Sequence, residues 1–204
     1  MTAPETPYGL YYIDRDYLSA IHEADSKTPD CTYEDSGRAR KFYCGPVTKE
    51  EGVDYYVPVS HQVKNMQLSK YETYGISIMN TEGEKKGCLD FRFMIPCVDT
   101  QFLSKIEKND MSEYGKSQYD FCMNNERIIK KEAHATYNNI ISKDYGFLNK
   151  TAVCSEAVID AAWQYMDEIE ARKEKAAMRN AAANDLGKKD EGVQVNEQPA
   201  NTKY

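Results

Sequence analysis

The 204-residue chain carries 26 Lys and Arg against 33 Asp and Glu, a formal net charge of -7. That length holds one full core and an appendage but hardly two cores, and net acidity argues against diffuse binding of polyanions, so a nucleic-acid partner would need a local basic pocket. A mean hydropathy of -0.74 is low for a compact domain and points to a segment outside the core.

In chain order, the first apolar run, residues 10–13, reads as a strand. Asp14 then stands as an N-cap before a short helix that buries Tyr17, Leu18 and Ile21. Aromatic and β-branched runs at 42–44, 54–59, 74–79 and 88–96 predict further strands between turn-forming clusters. In the last of these, Leu89, Phe91, Phe93 and Ile95 alternate with Asp90, Arg92 and Met94, and Pro96 is expected to stop the ladder. After residue 112 the period changes: Tyr119, Cys122, Ile129, Ala133, Tyr137 and Ile140 recur every three or four residues or at multiples of that spacing, as in one long amphipathic helix or two. Another helix is expected from about residue 155, burying Val158, Ala161, Ala162 and Tyr165.

Strands first and helices later predict an α+β domain, a small, strongly bent antiparallel sheet or half-barrel with helices packed on it. The domain is expected over residues 1–166. Residues 167–204 form a charged helical extension and a tail expected to be disordered from Asn184 onward. The body holds most of the net negative charge.

No run approaches the ~20 apolar residues that span a bilayer, and the first residues carry no signal-peptide pattern, so a cytoplasmic location is expected. The six cysteines never come closer than nine residues apart, which leaves no C-x-x-C motif and predicts buried thiols. His22 and His134 lie on helices as surface or structural residues. His61 follows Ser60 where a strand gives way to a loop, a place where active groups are often presented.

The densest basic cluster, Arg38, Arg40 and Lys41, directly precedes Phe42 and Tyr43, with Thr32 and Tyr33 upstream. Cations beside aromatic rings suit RNA, because the charges neutralise phosphates and the rings stack on unpaired bases; the same charges also serve as a solvated strand edge. Lys64, Lys85, Lys86, Arg92 on the outward face of its strand, Arg127, Lys130 and Lys131 would extend a phosphate track.

This order of features resembles the ToxN/AbiQ family of type III toxin–antitoxin endoribonucleases. The matching pieces are Tyr11-Tyr12-Ile13 with Tyr17-Leu18, Thr32-Tyr33, Arg40 through Gly45, Tyr55 through Ser60, Leu89 through Pro96, and Tyr114 with Tyr119. Arg92-Phe93-Met94-Ile95-Pro96 is the most diagnostic of them. The resemblance implies a fold like the Kid/MazF ribonuclease toxins and RNA cleavage that needs no metal or other cofactor and leaves a 2',3'-cyclic phosphate. It also implies a repetitive RNA antitoxin of pseudoknot repeats, which the toxin processes and which inhibits it in a closed protein–RNA ring, often three of each. Cellular and phage transcripts are the implied targets, with abortive infection as the outcome.

Carried over residue by residue, the resemblance makes Tyr33 an active-site tyrosine and Arg40 the essential basic residue, with Lys41 as its competitor. It makes Ser60 a hydroxyl of the family's Pro-x-[ST]-[ST]-Pro-Lys segment and Tyr119 the tyrosine at the start of the long helix, with Tyr114 beside it as an RNA contact. Here His61 occupies the second hydroxyl position and Gln62 replaces the proline, so either Ser60 keeps the family role or His61 has taken over part of it. The chemical reading is that Arg40, helped by Lys41, stabilises the phosphorane, Ser60 and Tyr33 orient the phosphate, His61 moves a proton, and Tyr119 stacks on a base or positions the 2'-OH. A non-catalytic RNA-binding module using the same surface is the alternative.

Overall fold

A computed structural model describes residues 6–29, 41–60, 74–142, 146–153 and 155–190. The chain divides into two compact units, Met1–Met166 and Asp167–Tyr204.

In the first unit, β1 (Gly9–Ile13) leads into α1 (Arg15–Ala24), and the Asp14 carboxylate accepts from the Tyr17 amide at 3.0 Å, the expected cap. The strands β2 (Tyr43–Glu50), β3 (Val53–Ser60), β4 (Gly75–Met79), β5 (Lys85–Asp90), β6 (Ile95–Cys97) and β7 (Leu103–Lys105) follow. The sheet runs β4-β5-β3-β2-β1-β7, with β6 also paired to β3, and every pairing is antiparallel. Among the described residues the sheet ends at β4 and β7 and does not close into a barrel. Helices α2 (Glu113–Asn124) and α3 (Glu126–Ile141) cover it, followed by α4 (Gly146–Thr151) and α5 (Ser155–Asp190). This is the α+β class expected, with the long helical stretch split at Asn125.

One predicted strand is corrected. Residues 88–96 do not run straight: β5 stops at Asp90, whose carboxylate caps a 3-10 turn over Phe91–Phe93 by accepting from the Arg92 amide at 3.1 Å. A short Asx cap outcompetes the period-2 pattern here. Pro96 does not end the ladder either, because it sits within β6 opposite Tyr55.

The core lies between the sheet and the helices and includes Leu10, Val57, Val59, Leu89, Phe91, Ile129 and Ala133. At its α1 side, Tyr17 stacks on Phe102 at 4.6 Å, meets Tyr165 edge-on, and donates its hydroxyl to the Pro96 carbonyl. Cys44, Cys88, Cys97 and Cys122 are buried free thiols, as composition suggested. Among the described residues no helix is long and apolar enough to cross a membrane.

In the second unit, residues 167–181 are exposed apart from the half-buried Ile169, and helix continues to Asp190. This corrects the expected onset of disorder at Asn184. Alanines and mixed charges sustain a helix without a core face.

Candidate catalytic site

The site is built where β2 begins and where the end of β3 pairs with β5. Lys41 and Phe42 lead into β2, and the Phe42 carbonyl accepts from the Val59 amide at 2.9 Å, which sets Lys41 beside the end of β3. Ser60 pairs with Cys88 of β5, and directly opposed residues of an antiparallel pair share one face. The Ser60 hydroxyl and the Cys88 thiol are hydrogen-bonded, and Lys41 lies within electrostatic reach of that thiol.

Burial tunes these groups. It lowers the Lys41 pKa below the ordinary lysine value, since an ammonium removed from water is penalised. It pushes the Cys88 thiol up to about 12, so Cys88 is a neutral hydrogen-bonding partner rather than a thiolate nucleophile. A half-buried cation beside a neutral hydroxyl and thiol suits an incoming phosphate.

The floor of this corner is β5. Gly87 takes a φ of +144°, and a Cβ there would overlap the Ser60 carbonyl oxygen and come within 2.7 Å of Gln118 Nε2. The Lys86 carbonyl next to it accepts from Tyr114 Oη at 2.5 Å and from Gln118 Nε2 at 2.6 Å. Tyr114 and Gln118, one turn apart on α2, thereby clamp β5 under Ser60. Lys86 pairs with Glu84 at 2.8 Å, and Lys85 opens the same strand.

Of the expected site residues, the structure thus sets Lys41 and Ser60 about Cys88, and Tyr114 on the main-chain carbonyl of Lys86 two residues earlier on β5, with the Lys86 ammonium held by Glu84. Tyr33, Arg38, Arg40, His61 and Lys64 lie outside the described residues; Arg40 and His61 are the immediate chain neighbours of Lys41 and Ser60. Tyr119 is half-buried and packed against the core, near Tyr11 of β1.

Among the described residues, the expected basic track is divided between the Ser60 corner and more distant places. Arg92 sits on the 3-10 turn instead of a strand face, and its guanidinium is paired with both Asp90 carboxylate oxygens, with the side chain 11% exposed. Lys130 pairs with Glu126 at 2.6 Å, lies over the Tyr8 ring, and lines a cavity of about 240 Å³ with Thr48, Lys49 and Asp54. At roughly 3.3 Å per residue, Asp54 is about 20 Å along β3 from Ser60. Arg127 and Lys131 are exposed on the same helix, Lys131 with Glu132 at 3.9 Å. His22 bonds the Thr28 carbonyl at 2.9 Å and His134 bonds Glu50 at 3.0 Å, consistent with structural roles. Among the described residues no group of three or more His, Cys, Asp or Glu side chains is placed to hold a metal ion.

A family model described as toxin ToxN of type III toxin–antitoxin systems matches residues 9–162. The chain belongs to the ToxN toxin family. No curated protein matches the sequence. Among solved structures, this ToxN-family chain is similar to one from work on bacterial type III systems in which a non-coding RNA pseudoknot selectively inhibits the toxin. That match has 18% identity and a TM-score of 0.68 and covers 79% of this chain and 99% of the other. It is similar to AbiQ, a lactococcal anti-phage endoribonuclease of a type III system, at 16% identity and a TM-score of 0.68, again over 79% and 99%. A third match, from a bacterial antiviral system regulated by a processed non-coding RNA, has 19% identity and a TM-score of 0.58 over 67% of this chain and 88% of the other. At these identities the structural matches establish the shared fold.

Sequence reading missed Gly87, Cys88 and Gln118. The one available signal was the spacing of Tyr114 and Gln118, which puts an amide on the same helical face as an expected site tyrosine.

Proposed function

We propose that this ToxN-family toxin is a metal-independent endoribonuclease whose active site is the corner formed by Lys41, Ser60 and the chain segments that adjoin them. RNA carries its own nucleophile, so cleavage requires that the 2'-OH be deprotonated, the pentavalent phosphorus be stabilised, and the departing 5'-oxygen be protonated. Lys41, with Arg40 beside it in the chain, neutralises the phosphorane. Ser60 and Tyr33 orient the phosphate, His61 carries a proton, and Tyr119 contacts a base or the 2'-OH. The products are a 2',3'-cyclic phosphate and a free 5'-OH. The observation that carries the reading is the half-buried Lys41 beside the Ser60–Cys88 pair at the end of β3.

The partner is a structured RNA antitoxin of pseudoknot repeats, which the toxin processes and which inhibits it in a closed protein–RNA ring; transcripts of the cell and of an infecting phage are the targets. Support comes from the family and from the RNA-inhibited and anti-phage relatives. The acidity of the chain is consistent with selectivity for a shaped RNA over diffuse polyanion binding. Expression of the chain alone in bacteria tests this reading. Growth arrest with fragmented transcripts, relieved by a tandem-repeat RNA encoded upstream of the gene, is expected. Unimpaired growth with intact transcripts would refute it.

A further inference from the structure

Gln118 is 0% exposed, yet only half of its amide is satisfied. Nε2 donates to the Lys86 carbonyl, whereas Oε1 is buried with no hydrogen-bond partner among the described residues. The orientation of the amide follows from chemistry, because a carbonyl oxygen only accepts and must face the NH2 end. A buried acceptor without a donor costs stability, and an apolar side chain of the same shape would avoid that cost. Such a residue at the back of a candidate site calls for a role other than folding.

Its contacts indicate the role. The amide packs against Gly87 at the point where that residue approaches the Ser60 carbonyl, and the next residue of β5, Cys88, pairs with Ser60 and bonds its hydroxyl. Gln118 therefore reaches Ser60 through three consecutive residues of β5, Lys86, Gly87 and Cys88. Tyr114 bonds the same Lys86 carbonyl but is 38% exposed, so it clamps the strand from the solvent side while Gln118 holds it from within.

We infer that Gln118 is a positioning residue for RNA cleavage, fixing β5 at Lys86–Gly87 so that the Ser60 hydroxyl is held in register with Lys41. The inference rests on the nuclease reading above. Gln118 does not touch the RNA, so its loss should be felt in turnover rather than in binding. Small displacements of a reacting group are expensive because productive geometry is lost while affinity remains.

Gln118→Met in the full chain separates positioning from folding, since it keeps the length of the side chain and removes both the donor and the orphan acceptor. The thermal midpoint should equal or exceed that of the parent, while kcat falls by ~10-fold or more and KM for RNA stays within about twofold. Gln118→Glu provides a second readout. A protonated carboxyl can donate to the Lys86 carbonyl and an ionised one cannot, so turnover relative to the parent should be highest at acid pH and decline as pH rises. Parental kcat in Gln118→Met overturns the inference. If that variant does not fold, a Gln118→Glu profile parallel to the parent's overturns it instead. A parent chain that leaves RNA intact overturns the nuclease reading and the positioning role together, whereas a cutting parent matched by an equally active Gln118→Met overturns the positioning role alone.

Discussion

Gly87 meets Ser60 so closely that no side chain fits between them: a Cβ on Gly87 would overlap the Ser60 carbonyl oxygen, on a backbone whose φ of +144° already disfavours any L-residue. The obstacle is main chain on one side and the buried Gln118 amide on the other, so neither can swing aside. Gly87→Ala is expected to cost about 1–3 kcal/mol from backbone conformation alone, and more from the overlap. A urea unfolding midpoint lowered accordingly, with cleavage strongly reduced, is the expected outcome. An unchanged midpoint would mean that the β3–β5 contact is looser than described.

Lys41 gives a pH signature. Burial lowers its pKa, so its charge is lost at a lower pH than that of an ordinary lysine. If the ammonium stabilises the phosphorane, kcat should fall on the alkaline side as Lys41 deprotonates. Lys41→Arg, with a guanidinium that stays charged, should move that limb to higher pH. Lys41→Ala should lower kcat by ~100-fold or more, with RNA affinity largely kept. A pure affinity defect would count against the assignment.

The buried thiols make a prediction about stability. Burial pushes Cys88 and Cys97 from an ordinary value of 9.0 up to about 12. A group whose folded pKa is raised contributes stability that is fully present below its unfolded value and lost as pH rises towards its folded value. Buried Tyr17, Tyr55 and Tyr56 are displaced in the same direction from about 10. Denaturation followed across pH should therefore show constant contributions from these groups up to about pH 9 and a progressive loss above it. Stability that rises between pH 9 and 12 would contradict their burial.

Much of the fold was legible because local signals agreed with tertiary packing. Asp14, Tyr17, Leu18 and Ile21 combine a cap with helical spacing, and all three apolar residues are buried in α1. The 88–96 run misled because a capping carboxylate at Asp90 is invisible to an alternation pattern, and Arg92 lost its outward place with it. At the site, Lys41 and Ser60 stood out as a cation before an aromatic strand and a hydroxyl at a strand end. Gln118 did not, since an amide within a helix has no chemical signature until a distant carbonyl from Lys86 meets it. Likewise the scattered lysines suggested one track, but β3 separates the Ser60 corner from the Lys130 cavity.

The same thiols offer a chemical check. At pH 8 a thiol with a pKa near 12 holds a negligible thiolate fraction, and Cys44, Cys88, Cys97 and Cys122 are all buried. Iodoacetamide treatment of the folded chain, read by peptide mass spectrometry, should leave these four unmodified, while the denatured chain reacts throughout. Rapid labelling of Cys88 in the folded state would place it in an open and polar site.

The most direct test of the account is cleavage of a defined RNA by the purified chain in excess EDTA, with analysis of the new ends. Fragments with 2',3'-cyclic phosphate and 5'-OH ends, formed by the parent and nearly abolished in Ser60→Ala and Lys41→Ala, are the predicted result. Intact RNA, cleavage that stops on chelation, or 5'-phosphate ends would contradict it.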